Sequence, residues 1–452
     1  MARPPRAAFV TLVTAAVLAG LVSSPQAVSA SPLAPAGTAK APAVLEPAET
    51  EGVAPTAAGV QKALAAALAD PSLGKHFGVY VYDASRGKPV FSVGTAKPYI
   101  PASTMKLLTT VSALEALGPE HRFATKVVRS GNSLVLVGGG DPLLVTKRPM
   151  DPLDFPARAS LQDLAASTAK ALRAAGVVRV TVGYDATLFT GPAANPKWEP
   201  NYLTEGIAAR TSALWVNEGR VSPGMAKRAD SPALAAATAF ATQLQTLGIK
   251  ATVGKAVKAP AGVEAIAQVD SATLGDLVEY VNLHSDNDGA EVLLRHVGLA
   301  TKNGGSYTGG LAGLRVTLTK LGLDVSKARF EDGSGLSRTN LVPLDVLAGA
   351  VRVATAEDKP QLRHLLTGLP VAGFNGSLRQ RFAGPGTAGG TGMVRAKTGT
   401  LTNVHSLAGF ARTKSGTLLV FAIGTDSSPA PKALDARAAL DRATAALAAC
   451  GC

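Results

Sequence analysis

Three short stretches of this chain carry side chains able to make and break an acyl bond. The first is Ser103-Thr104-Met105-Lys106. At a helix start, residues i and i+3 share a face, so the Ser103 hydroxyl and the Lys106 amine can hydrogen-bond. A serine hydroxyl attacks a carbonyl only once a base takes its proton, and lysine is such a base when burial or a nearby cation leaves it neutral. The second is Ser285-Asp286-Asn287, where the serine can relay a proton and Asn287 can hold both the lysine and a substrate amide. The third is Lys397-Thr398-Gly399-Thr400. A cation on an edge strand binds a carboxylate, and a glycine lets substrate approach the backbone closely. Taken singly, each has a plain structural alternative. Ser103 serves equally as a helix N-cap, the Asp286 segment as an Asx-type turn at a helix end, and Lys397 as a basic strand start.

Rival chemistries lack their residues. There is no G-x-S-x-G elbow, and the six histidines sit singly, His284 and His405 among them, which disfavours a Ser-His-Asp triad. No H-E-x-x-H or clustered ligand set suggests a metal, and none is expected. Gly138 to Pro142 (GGGDP) is glycine-rich but lacks the lysine of a phosphate loop, so no cofactor is expected either. The two cysteines, Cys450 and Cys452, allow neither a disulfide framework nor a four-thiolate zinc site. They can close a small local disulfide or stay as two thiols.

The elements that must position these motifs follow from periodicity. An amphipathic helix begins at Val60, and HFGVYVYDASRGKPVFSVG alternates like a hairpin turning at Gly87-Lys88-Pro89. A long helix over roughly 103–117 is stopped by Gly118-Pro119. KVVRSGNSLVLVGGG is a second hairpin, followed by a helix and a strand in LQDLAASTAKALRAAGVVRVTVGYD and a further helix over 233–249. Leu274, Leu277, Val278 and Val281 mark one helical face ending at Leu283. A helix over 310–321 precedes the loop Asp332 to Arg338. LTNVHSLAGFARTKSGTLLVFAIGT is a hairpin turning at Ser415-Gly416, and a helix over 433–449 follows. The fold class is α+β.

The 452 residues exceed one ordinary domain, and 46% hydrophobic against 17% charged residues can bury a large core. Aromatics are only 5%, so that core is built from small aliphatics. Arg3 and Arg6, the apolar run from Ala7 to Val22 and Val28-Ser29-Ala30 have the form of a cleaved export signal over 1–30. Residues 31–58, rich in Ala and Pro, suit an extended linker. The formal charge of +13 becomes about +11 (13 minus 2) once Arg3 and Arg6 leave. Its cations are scattered singly with no run of five, which disfavours nucleic acid and leaves anionic lipid or an acidic polymer as its surroundings.

In conjunction the three motifs are far more specific than singly. S-x-x-K, S-D-N and K-T-G in this order mark class A β-lactamases and penicillin-binding proteins. The stretches IPASTMKLLTT, HSDNDGAEVLLRHVG, FEDGSGLSRTNLVP, LPVAGFNGSLRQRF and VRAKTGTLTNVHSLAGF resemble the D-alanyl-D-alanine carboxypeptidase/endopeptidase family of low-molecular-mass penicillin-binding proteins. The resemblance runs from about residue 60 to the end and is weakest between 145 and 265. It implies a transpeptidase-like domain, an antiparallel sheet flanked by helices, with a large α/β domain inserted after the active-site helix. The spacing agrees: 182 positions (285 minus 103) separate the first two motifs, and only 112 (397 minus 285) the next. The expected parts are 59–118 and 270–452 for the catalytic domain and 119–269 for the insertion.

The resemblance implies that Ser103 attacks the carbonyl between the two terminal D-alanines of a peptidoglycan stem peptide, with Lys106 as base. Ser285 and Lys397 would pass the proton on or tune the lysine. Thr398 and Thr400 would bind the terminal carboxylate beside Lys397 and Gly399, and Asn287 the acyl-side amide. The backbone N–H groups of Ser103 and Thr400 would form the oxyanion hole. β-Lactams would acylate Ser103. DD-carboxypeptidase and DD-endopeptidase cleavage break the same bond type, so the resemblance implies the first and admits the second. The alternatives are a β-lactamase, which the long first interval disfavours, and a non-catalytic wall-binding protein. Two departures stand out. Gly219 stands where the family usually has Asn, and in Lys197-Trp198-Glu199-Pro200-Asn201-Tyr202 no acid falls cleanly at the place some members use for the amino end of diaminopimelate, with Glu199 and Glu205 as the candidates to substitute. No specificity residue is therefore carried over.

Overall fold

The computed structural model describes residues 54–151 and 154–451. The expected export signal lies outside them, as does most of the expected linker. Helix α1 (Ala57–Leu68) leads into strands β1 (Phe77–Asp83) and β2 (Lys88–Val93), then α2 (Met105–Leu117). Next come β3 (Ala124–Ser130), β4 (Ser133–Val137), α3 (Leu161–Ala174), β5 (Arg179–Asp185) and a single turn, α4 (Asn201–Thr204). They are followed by α5 (Pro232–Thr246), β6 (Lys250–Ala256) and β7 (Ala265–Asp270). Helices α6 (Leu274–His284), α7 (Asn287–Ala300), α8 (Tyr307–Lys320), α9 (Leu344–Thr355) and the short α10 (His364–Thr367) continue the chain. Strands β8 (Val394–Leu401), β9 (Val404–Arg412) and β10 (Leu418–Thr425) precede helix α11 (Ala433–Ala449).

The first sheet is antiparallel in the order β2-β1-β10-β9-β8, so a hairpin from residues 77–93 is completed by strands more than 300 residues later. Alternation along β10 divides its side chains between two cores. Leu419 and Phe421 meet α1 and α11 through Leu64 and Leu440, whereas Val420 and Ala422 meet α2 and α9. Helix α11 buries Ala436, Ala439 and Ala443, and these small side chains bring its axis close to the sheet. With few aromatics, close approach replaces bulk as the source of packing.

The second sheet, order β6-β5-β4-β3-β7, is mixed: β4, β5 and β6 run parallel, and β3 pairs antiparallel with β4 and β7. Helices α3 and α5 cover one of its faces through Leu164, Leu172, Phe240 and Leu244. The α/β character expected for this segment is therefore present. Its middle is not self-contained, however. Trp198 Nε1 donates to Asp332 Oδ2 (2.9 Å), Asn195 Nδ2 to the Glu331 carbonyl (2.7 Å) and the Ala209 N–H to Asp288 Oδ1 (2.7 Å). These bonds fasten the segment around α4 to α7 and to the loop 331–340.

Several boundaries move for local reasons. Helix α1 starts at Ala57, inside the expected linker, because Thr56 Oγ1 caps the Gly59 N–H (3.0 Å). Helix α8 starts at Tyr307, three residues before its expected start, because Ser306 caps Gly309. Periodicity misses α7 altogether. Asp288, Glu291, Arg295 and His296 are all buried on it, so polar residues occupy core positions and blur the helical period. Among the described residues no helix is long and apolar enough to cross a membrane.

Candidate active site

Ser103 does not open an α-helix directly. It lies in a 3₁₀ turn, Ala102–Thr104, from which α2 starts at Met105. Ala102 is held at φ 47°, a left-handed conformation that costs a non-glycine residue about 1–3 kcal/mol. No side chain caps the turn, so the N-cap alternative for Ser103 fails. Two glycines clamp the strained residue. A Cβ on Gly335 would stand 1.8 Å from the Ala102 carbonyl oxygen, and one on Gly399 would stand 2.5 Å from that of Pro101 and 2.1 Å from Ser406 Oγ. Gly399 is thus required by internal fit between β8 and the turn, where access for substrate had been expected. Gly335→Ala adds both this clash and a strained φ of +84°. It is expected to destabilise the fold by at least about 1–3 kcal/mol and to slow acylation of Ser103, read by thermal unfolding and penicillin labelling.

Lys106 Nζ is fully buried and contacts three acceptors: Ser103 Oγ at 3.1 Å, Asn287 Oδ1 at 2.8 Å and the Ser334 carbonyl at 2.7 Å. As an ammonium it donates to all three. As a neutral amine it has two hydrogens, and the two carbonyl oxygens can only accept. The lone pair is then left for the Ser103 hydroxyl, which is the arrangement of a general base. Burial lowers the Lys106 amine from 10.5 to about 8, against the opposing pull of Asp286, Asp332, Glu291 and Asp288. Lys397, also fully buried, is pushed well below 10.5 by burial and by the charge of Lys106. It donates to Ser285 Oγ (2.8 Å) and to the Thr398 carbonyl (3.0 Å).

The second motif divides between structure and site. Ser285 ends α6 in a left-handed conformation (φ 57°). Asp286 is the N-cap of α7, accepting from the Asp288 and Gly289 N–H groups (both 3.0 Å). The turn reading therefore holds for Asp286, while its two neighbours face the lysines. Asn287 Nδ2 donates one hydrogen to the Ile207 carbonyl (3.0 Å) and keeps a second. The carboxylates of Glu218, Asp286 and Asp288 approach within 4.8 Å of one another. Arg228 lies among them, 2.7 Å from Asp288 and 3.8 Å from Glu218, and supplies the positive charge. Burial raises Asp286 to about 8 and Asp288 to about 6.

A cavity of about 780 Å³ brings Ser103, Ser285, Asn287 and Thr400 together with Glu199, Tyr202, Glu205 and Arg338. Lys106 and Lys397 stand behind it, and Thr398 and Gly399 do not line it. Thr398 Oγ1 donates to Ser377 Oγ (2.7 Å). His405 is buried, kept near 4 by desolvation and the cations Arg437 and Arg381, and has no hydrogen-bond partner on either ring nitrogen. His284 packs against Tyr280, so neither histidine serves Ser103. Sequence reasoning gave no role to Asp332, Ser334 or Glu291. Asp332 accepts from Trp198, Gly335, Ser337 and Asn340, and Glu291 from the Gly333 and Ser334 N–H groups, so the two acids fold the loop against Lys106. The recurrence of Gly and Ser in FEDGSGLSR was the available signal of such a turn.

This geometry has relatives. The chain is 35% identical to a carboxypeptidase of Mycobacterium tuberculosis (Rv3627c), over 93% of this chain and 90% of that one. It is 30% identical to a D-alanyl-D-alanine carboxypeptidase of Actinomadura sp., over 82% and 81%. Among solved structures its fold is similar to penicillin binding protein 4 (dacB) of Haemophilus influenzae. The TM-score is 0.67 at 21% identity, covering 85% of this chain and 97% of that one. The family profile of the D-Ala-D-Ala carboxypeptidase 3 (S13) family matches residues 60–234 and 224–447. With a serine on a strained turn, a buried lysine hydrogen-bonded to it and matches over nearly all of its described length, the chain belongs to the S13 family of serine-type D-Ala-D-Ala carboxypeptidases.

Proposed function

We propose that the chain hydrolyses the bond between the two terminal D-alanines of a peptidoglycan stem peptide through an acyl-enzyme on Ser103, and that penicillins acylate the same oxygen. The observation that carries this reading is the Lys106 lone pair left for Ser103 once Asn287 and Ser334 take its hydrogens. Ser103 Oγ forms a bond to the carbonyl carbon and gives its proton to Lys106. The N–H groups of Ser103 and Thr400 hold the oxyanion. As the C–N bond breaks, the proton taken by Lys106 passes by way of Ser285, bridged to Lys397, to the departing amine, which leaves Lys106 neutral again. Water then gives a proton to Lys106 as it attacks the ester, and that proton returns to Ser103 as its C–O bond breaks. Thr400, on the cavity wall, binds the terminal carboxylate, with Lys397 and the Ser377-bonded Thr398 behind it and Gly399 fixing the strand against the turn, and the second hydrogen on Asn287 Nδ2 serves the acyl-side amide.

Glu199 and Glu205, which line the same cavity as Ser103, give the acyl side a preference for a stem peptide bearing an amine. Residues 1–30 direct export, 119–269 form a domain inserted in the catalytic one, and the excess positive charge suits an anionic wall. The test is incubation with a defined pentapeptide and a crosslinked dimer, followed by mass spectrometry. Loss of one D-alanine from the pentapeptide is expected, and cleavage of the dimer adds endopeptidase activity. A folded protein that cuts neither overturns the reading. Glu205→Gln is expected to raise KM for the amine-bearing peptide by about 10- to 150-fold, the scale of one charged hydrogen bond, with kcat little changed.

A further inference from the structure

The second sheet gathers positive charge at one of its ends. Strands β4, β5 and β6 start there in parallel, and the β3–β4 turn, the α3–β5 loop and the α5–β6 loop meet there. The pairing is tight. The Thr181 N–H donates to the Asn132 carbonyl (3.0 Å) and the Lys250 N–H to that of Val178 (2.8 Å). These three segments, 129–133, 170–181 and 243–252, contain Arg129, Lys170, Arg173, Arg179 and Lys250 and no acidic residue. Arg173, Arg179 and Lys250 are exposed and Arg129 is partly so. Arg179 and Lys250 are direct partners in the β5–β6 register. Like charges placed side by side on neighbouring strands repel and weaken the sheet. Among the described residues no ion pair relieves any of the five. Arg129 Nε donates to the Gly131 carbonyl (2.7 Å) and Arg173 to that of Leu247, so two guanidinium groups are fixed in place. Val128 pairs with Ala265, so Glu264 enters β7 beside Arg129 at this same end, on the far side of β3 from Arg179 and Lys250.

A like-charge pair kept without an ion-pair partner breaks a local rule, and such breaks are expected at functional sites. None of these residues lines the cavity at Ser103. We propose that this basic end docks the carboxylate-bearing peptidoglycan polymer itself, as a second contact apart from the bond being cut. The proposal rests on the reading of peptidoglycan as substrate. Stem peptides repeat carboxylates along an insoluble strand, so a second weak contact raises the effective concentration of the next stem at the active site. Exposed ion pairs of this kind weaken as salt screens them.

The test uses the whole protein and a triple variant, Arg129→Gln/Arg179→Gln/Lys250→Gln, whose changes are all on the surface. Both are sedimented with purified sacculi at 20 and 300 mM salt (about 20 and 6 Å of screening length), and both are assayed on a soluble pentapeptide. The expected result is at least about tenfold weaker sacculus binding by the variant at low salt, as loss of three cation contacts to a polyanion would give. The native protein loses its advantage at high salt, and turnover of the soluble peptide is equal for the two. Equal binding by both proteins overturns the proposal. So does loss of binding when the sacculi have been stripped of phosphate polymers, which would move the contact to those polymers. Failure of both proteins on the soluble peptide counts against the enzymatic reading instead, and is seen separately.

Discussion

Ser103→Ala abolishes covalent labelling by a fluorescent penicillin and lowers D-alanine release by at least about 10⁴-fold, the scale at which loss of a catalytic nucleophile is felt. The expectation rests on position. Ser103 Oγ is the hydroxyl that meets Lys106 and opens onto the large cavity. The strained turn at Ala102 and the clamps at Gly335 and Gly399 hold the serine backbone, and alanine at position 103 disturbs none of them. The variant should therefore keep its thermal transition while losing the adduct, as intact mass before and after incubation would report. A persistent adduct on folded Ser103→Ala would place the nucleophile elsewhere.

Lys106→Met, which keeps the volume of a fully buried side chain, lowers the acylation rate by about 10²- to 10⁴-fold, the range for loss of a positioned general base. It also removes a pH dependence. The amine must be neutral to accept a proton, so acylation by the native protein rises with pH through the Lys106 value of about 8 and falls below it. At pH 7 a lysine at 8 is about one-tenth neutral, against about one in 3000 at the ordinary 10.5. The step should be broad. Asp286 and Glu291 also titrate near 8, and their growing negative charge holds the lysine proton as pH rises. Stopped-flow acylation between pH 6 and 10 reads both effects. A native profile flat across this range would remove Lys106 from the proton transfer.

The two predictions differ in how far the sequence supports them. That a serine and a lysine three residues apart on a helix start share one face is local geometry, and the 3.1 Å contact follows from it. That Lys106 is neutral enough to matter is not local. It needs residues 285–291 and 332–335 packed around it, and it needs a loop folded by Asp332 and Glu291, whose partners lie as far away as Trp198. Sequence gave these acids no role, because their work is hydrogen bonding to backbone N–H groups that only the folded loop presents. Gly399 taught a similar lesson. Its type was legible, but its reason, the carbonyl of Pro101 and the hydroxyl of Ser406, belongs to another element.

By itself the sequence determined the three motifs, their order, the α+β class, the helix after Ser103, the helix before Ser285 and the strand of Lys397, and the family they resemble, though not α7, which Asn287 opens. Each is written in local patterns of period, turn residue and spacing. The tertiary structure alone decided what those patterns become. It put Lys397 within 2.8 Å of Ser285 across 112 positions, and returned the chain around α4 to wall the cavity with Glu199 and Glu205. It also set Arg179 beside Lys250, from loops that look unrelated in sequence. The physical reason is the same throughout. Burial, charge proximity and strand register depend on which distant segments meet, and that is a property of packing.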